Sequence, residues 1–264
     1  MTRLRWALVD GWTITLRDLS HVTRQPFAFA VTLLFPVLIL LMFVYLFGGG
    51  MAVPDGASYR DFLVPGMFAL TMFFGIESTV TSVITDAARG ITDRFRSMPI
   101  AGSAVVLGRN GADLVGAAAT LVVMLACGLA IGWRWHGSVP DAALALLLLL
   151  WLRFAVLWLG IYLGLVMKNP ASVVAVQILV WPIGFLSNVY TSPATMPGWL
   201  GALADWNPVS ATAGAVRQLF GNPVWTPDSW AAQHPVLLAI AWPAVLVAVF
   251  LPLSVRAYRN LRTG

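Results

Sequence analysis

A chain of 264 residues that is 59% hydrophobic and only 10% charged, with a mean hydropathy of +0.82, carries more apolar surface than one soluble core can absorb. Soluble domains hold about 25% charged residues, so lipid is the solvent for most of this chain. The net charge of +5 follows from the distribution of arginine about the membrane and does not call for a nucleic-acid partner.

The first 25 residues contain six charges and no uninterrupted apolar run, so no cleavable signal is evident. Leu8, Trp12, Leu16 and Leu19 share one helical face, and Asp10, Arg17 and Arg24 fall opposite. That pattern predicts an amphipathic helix on the cytoplasmic membrane surface, either a plain topology anchor or one that also touches a cytoplasmic partner. Pro26 then opens the first apolar run.

Six runs are long enough to cross a bilayer, which takes roughly 20 residues: Phe27–Phe47, Phe62–Thr85, Gly111–Gly132, Ala142–Met167, Ala171–Tyr190 and Pro235–Val255. An even number puts both termini on one side. With that side cytoplasmic, the inside holds Arg3, Arg5, Arg17, Arg24, Arg89, Arg94, Arg96, Arg109, Lys168, Arg256, Arg259 and Arg262. The outside holds only Arg60, Arg134 and Arg217. The bias predicts an all-α, multi-pass protein of the plasma membrane, 1–264 forming a single transmembrane domain.

Between the second and third runs, the cytoplasmic segment 86–110 contains GITDRFRSMPIAG. Ile91, Phe95 and Met98 recur at i, i+4 and i+7, Gly90 stands at the start, and Pro99 ends the pattern. So short a helix does not hold in water alone and needs lipid headgroups or a protein groove for its stripe. A connecting loop is the bland alternative. A pure membrane anchor would favour Lys and Arg over Asp93, whereas a protein groove can pair both signs.

Charges inside the runs are few. Asp113 follows Arg109 by four residues, the spacing of an ion pair at the interface. Glu77 lies in the second run and Arg153 near the middle of the fourth. A charge at the bilayer centre costs about 2.5–3.5 kcal/mol or more, so each must face protein or a water-filled space. The two either pair, across an expected depth difference of roughly 10 Å, or line a path or subunit interface. On the second view Glu77 attracts cationic amphipathic substrates, a preference that Glu77→Gln would remove.

Segment 191–234 is the one sizeable external stretch, rich in Pro, Gly and Trp. Asn207 and Pro208 have the residue types of a helix cap and first turn, with Arg217 in the helix that follows. The segment is either a simple surface helix or a re-entrant one that closes an exit. The three histidines are scattered over both sides, which leaves no metal site by spacing, and Cys127 is the single cysteine. Lys168 is the only lysine and stands in MKNP, so no phosphate-binding Gly-Lys-Ser/Thr loop exists and no catalytic residue is assigned.

DRFRSMPIAGSAVVLGR, Asp93 to Arg109, resembles the cytoplasmic loop of ABC-2-type permeases, in particular the daunorubicin-resistance group. FLSNVYTSPATMPGWLGALADWNPVSATAGAVRQLFGN, Phe185 to Asn222, resembles their fifth span running into the external segment. The resemblance covers essentially the whole chain. It departs at Ala87–Gly90, without the acid-rich run of many relatives, and at Gly102, where a polar or basic residue is common.

The resemblance implies six spans and a coupling helix that docks into a separate ATPase subunit. The docking residues would be Arg89, Gly90, Ile91, Asp93, Arg94, Phe95, Arg96, Met98 and Pro99. It further implies a second permease subunit, as a homodimer among membrane lipids. ATP and Mg would be bound by the partner and no cofactor by this chain. The cargo implied is hydrophobic or amphipathic, such as antibiotics. A lipid or glycolipid exporter of the same fold and a motor-independent immunity protein are the alternatives.

Overall fold

The computed structural model of the chain describes residues 26–48, 50, 57–88, 102–167, 171–225 and 229–260, and all regular structure in them is helical. The expected surface helix before residue 26 and the Arg89–Pro99 stretch lie outside these residues. Helix α1 spans Pro26–Met42 and runs on as a π-helical turn, Phe43–Phe47; α2 spans Tyr59–Ala88, α3 Gly102–Ala130, α4 Val139–Met167 and α5 Ser172–Phe185. The external segment supplies a 3-10 turn, Pro193–Thr195, then α6 (Gly198–Asp205), α7 (Pro208–Phe220) and α8 (Trp230–Gln233), before the final helix α9 (Pro235–Asn260).

Among the described residues, four stretches are long and apolar enough to cross a membrane: Tyr59–Ala88, Asn110–Ala130, Val139–Met167 and Pro235–Tyr258. The first and fifth runs appear as the shorter apolar helices Leu33–Phe47 and Ser172–Phe185. The fifth falls short because its apolar composition continues past its helix. Beyond Phe185 the chain bends, and the backbone carbonyls of Ile183 and Leu186 accept from the Asn207 side-chain amide at 2.7 and 2.6 Å.

Helix α4 is the centre of the bundle, packed along α2 on one side and α9 on the other. Lipid tails are as apolar as leucine, so close packing rather than the hydrophobic effect must hold such helices together. Gly160 and Gly164, one turn apart on α4, provide it. A Cβ on Gly164 would stand 2.6 Å from Val83 Cβ, and one on Gly160 would stand 3.0 Å from Thr79 Cβ. The residues left on the outside are apolar too, among them Val122, Leu147, Ile178, Leu179 and Val245, each more than half exposed.

Polar bonds gather at one end of the bundle. Arg60 at the start of α2 donates to the Ile131 carbonyl beyond α3 (2.8 Å). The α3–α4 connection docks on the end of α7: Trp133, fully buried, donates to Asn222 Oδ1 (3.2 Å), and the His136 and Gly137 amides reach the Phe220 carbonyl at 2.7 and 3.0 Å. Gly221 makes this possible by adopting φ +66°, where a side chain would be strained. It ends α7 with paired bonds from its own amide and that of Asn222 to the Gln218 and Arg217 carbonyls.

Candidate functional site

Arg153 turns from α4 into the bundle and is only 3% exposed. Its Nη2 donates to Asp113 Oδ2 on α3 at 2.5 Å and to the Thr79 hydroxyl on α2 at 3.1 Å. Thr79 donates its own proton to the Gly75 carbonyl (3.2 Å), so it is free to accept from the arginine. Gly75 makes the room, since a Cβ there would stand 2.0 Å from Arg153 Nη1.

The expected partnerships are therefore rearranged. Asp113 is held by Arg153, not only poised for Arg109 one turn back. Glu77 instead accepts from Gln177 Nε2 on α5 at 3.1 Å, and its Oε1 has no hydrogen-bond partner. Depth is not what separates Glu77 from Arg153, because the arginine meets α2 at Gly75 and Thr79, which bracket Glu77. Helical phase is the reason: two residues from either neighbour is about 200° of rotation, which puts Glu77 on the opposite face of α2.

The ion pair borders a cavity of about 330 Å³ enclosed by α1, α2, α3, α5 and Tyr190. Asp113 and Arg153 stand at its wall; Glu77 does not. The Asp113 side chain keeps 24% exposure, and the bond from Arg153 goes to one of its two oxygens. Facing it is a row of rings: Phe74 stacks on Trp181 (5.3 Å between centroids), Trp181 meets Phe185 (5.8 Å), and Phe185 stacks on Tyr190 (5.3 Å). Sequence reasoning missed this wall. The signals were the i, i+4 spacing of Trp181 and Phe185 on α5, and the small or polar stripe Asp113, Ala117 and Thr120 on α3.

Asn207, Pro208 and Arg217 lie on one helix, the first two at its start and Arg217 in its last turn. Asn207 caps α7 by accepting from the Val209 amide at 2.8 Å, with Pro208 in the first turn. Arg217 is 1% exposed; its Nε donates to the Phe62 carbonyl (2.7 Å), Nη1 to Asn188 Oδ1 (3.2 Å) and Nη2 to the Val189 carbonyl (3.0 Å). Its guanidinium carbon also sits 3.8 Å above the Phe62 ring. Burial pulls its pKa down to about 9, still above neutral pH, so the group remains a cation. A second cavity, of about 630 Å³, lies among α6, α7 and α8, with Asp205, Trp206 and Gln218 in its wall. Among the described residues, no three His, Cys, Asp or Glu side chains converge as metal ligands would.

An all-helical bundle, apolar outside and carrying a charge pair beside an aromatic-lined cavity, has the build of a multi-pass membrane protein. Comparison with known proteins gives its family. The family model described as ABC-2 type transporter matches residues 10–220, and the chain belongs to that family. It is 35% identical over 256 residues to the daunorubicin resistance ABC transporter permease protein DrrB1 of Streptomyces coeruleorubidus, covering 94% of this chain and 88% of the relative. The doxorubicin resistance ABC transporter permease protein DrrB of Mycobacterium tuberculosis is 24% identical over 206 residues, 77% of this chain and 71% of its own.

Proposed function

We propose that the chain is the permease subunit of an ATP-driven exporter of hydrophobic and amphipathic compounds of the antibiotic kind. The observation that carries this reading is the 35% identity, across 94% of the chain, to a permease named for daunorubicin resistance. With one lysine, in MKNP, this sequence holds no P-loop, so in this reading ATP and Mg belong to a separate ATPase subunit.

In this reading the chain crosses the membrane six times with both termini cytoplasmic, and two copies stand side by side over two ATPase chains. The stretch Arg89–Pro99 is the contact with the ATPase: Phe95 and Met98 bury into its groove, and Arg94 pairs at the rim. ATP-driven closure pushes on this stretch and thereby tilts α2 and α3, the helices that flank it and that wall the cavity. Of the two intramembrane charges, Arg153 stands on the cargo's path. The segment holding Asn207, Pro208 and Arg217 closes the exit.

The test is purification of the tagged chain from its native membranes in mild detergent, with mass spectrometry of what co-elutes. A stoichiometric P-loop ATPase should accompany the wild type and be lost from Phe95→Asp, which should still insert in the membrane but transport nothing. Normal transport by Phe95→Asp would refute the docking role. Absence of any ATPase from the wild-type complex would favour a binding protein without a motor.

A further inference from the structure

Arg217 carries a charge that its own contacts do not balance. Its guanidinium donates to the Phe62 carbonyl, Asn188 Oδ1 and the Val189 carbonyl, all neutral acceptors. Bonds to neutral groups satisfy N–H donors but cancel no charge, and a buried cation without a counter-charge is costly. Arg217 lines the 630 Å³ cavity among α6, α7 and α8, which has room for an anion. Trp225 lines the same cavity and packs edge to face on Phe62, the ring that also carries the Arg217 guanidinium. Its Nε1 is buried with no hydrogen-bond partner. An indole N–H can only donate, so this wall holds a second group that calls for an acceptor.

Asp205, also in the wall, has the opposite need. It is the last residue of α6, the end where the helix dipole disfavours a carboxylate. Among the described residues it forms neither a hydrogen bond nor an ion pair, so it does not answer Arg217. The cavity therefore has a cationic pole on α7 and an anionic pole on α6. Its rim adds a third observation. Trp199, Leu203 and Trp206 recur at i, i+4 and i+7 along α6 and its C-cap, and each is at least half exposed. Trp206 both belongs to this stripe and lines the cavity, and it stacks on the half-exposed Trp230 of α8 (6.0 Å). An exposed apolar stripe rich in tryptophan suits the membrane–water interface, so the cavity opens at the level of lipid headgroups.

We infer that this cavity binds the headgroup of a phospholipid bearing a primary amine, its phosphate toward Arg217 and Trp225 and its ammonium toward Asp205. The acyl chains pass Trp206 and lie along the exposed stripe. The volume falls within the roughly 300–1,000 Å³ of small-molecule sites. A lipid so held is a resident of the external segment and not cargo: it joins α6 to α7 through two charges that the protein leaves unpaired. The inference uses the proposed topology only to place this end of the bundle at the outer leaflet; the charge pattern is the same on either side.

The experiment titrates the delipidated full chain in detergent with dioleoyl phosphatidylethanolamine, phosphatidylcholine or phosphatidylglycerol and counts bound lipid by native mass spectrometry. All three carry the phosphate, and only the first carries a primary ammonium. The ethanolamine lipid should bind about tenfold tighter than either of the others, the worth of one hydrogen bond to a charged group. Asp205→Asn should reduce that preference to about threefold or less. Trp225→Phe keeps the ring and removes the donor, so it should weaken all three lipids about equally and leave the preference intact. Equal binding of the three lipids by the wild type, or a preference that survives Asp205→Asn, would overturn the inference. Displacement of the lipid by an equal concentration of glycerophosphoethanolamine would overturn the membrane source of the guest. Co-elution of an ATPase is read separately, so either result leaves the export role to its own test.

Discussion

Among the described residues two arginines are buried in this bundle, and each leans on a glycine of α2: Arg217 on Gly66 and Arg153 on Gly75, nine residues further along. Their surroundings differ in kind. Among the described residues Arg217 has no carboxylate partner; two backbone carbonyls, one side-chain amide and a phenyl face hold it. Arg153 has a carboxylate on α3 and a hydroxyl on α2, and both it and that carboxylate residue line the cavity. The first arrangement uses one cation to fix three separate pieces of chain: the start of α2, the bend after α5, and α7. The second balances charge between helices that could part. A buried charge therefore has two uses here, a clamp in the external segment and a polar wall in the interior.

The clamp should be the more costly to remove. Arg217→Met leaves three acceptors without their donor at a buried site, and should destabilise the protein by roughly 3–5 kcal/mol. Arg217→Lys keeps the charge but loses the planar fork, and should fall between. Thermal unfolding midpoints of the purified variants in detergent would read both. If Arg217→Met melts within a degree of wild type, the clamp does not exist.

At the interior pair, the expectation separates stability from function. Arg153→Met alone strands Asp113, with a cost of about 2–4 kcal/mol, at the low end for a buried pair because the aspartate remains partly exposed. Adding Asp113→Leu should recover most of that loss, since apolar replacement of a whole buried pair is often neutral. The double variant should assemble normally yet lose efflux. A double variant as unstable as the single one would make this pair a structural tie like Arg217, and the contrast would fail.

How much of this could be read beforehand depends on the range of the interaction. Asn207 and Pro208 announce a helix start because capping is local, and α7 begins there. Apolar runs give the spans because lipid sets a length, but the fifth run overshoots its helix. The bend after Phe185 is fixed by Asn207, about twenty residues downstream, and nothing in the run itself marks it. Glu77 and Arg153 are conspicuous as charges in apolar sequence, and their cost is legible. Their partners are not, because helical phase and the crossing of α3, α2 and α4 decide them. Asp113 sits four residues from Arg109 in sequence and is answered from forty residues away. The aromatic wall is equally long-range, assembled from α2, α5 and the bend that follows.

The two glycines give the finest test, because geometry alone ranks them the wrong way. A Cβ on Gly75 would stand 2.0 Å from Arg153 Nη1, a deeper intrusion than the 2.6 Å between a Cβ on Gly66 and Arg217 Nη2. Yet everything the Gly75 methyl meets is the far end of one arginine side chain, which can swing aside. The Gly66 methyl also meets the Val189 backbone, 3.3 Å from its Cα, and an arginine fixed by carbonyls that cannot follow it. Overpacking costs about 1–3 kcal/mol where neighbours cannot give, against a helix-propensity gain of up to about 1 kcal/mol for glycine to alanine. Gly66→Ala should therefore lower the melting midpoint clearly, whereas Gly75→Ala should leave it nearly unchanged. The displaced Arg153 should then show in efflux rather than in stability. The reverse ranking would mean that the interior arginine is the rigid one, and that the roles assigned to the two sites must be exchanged.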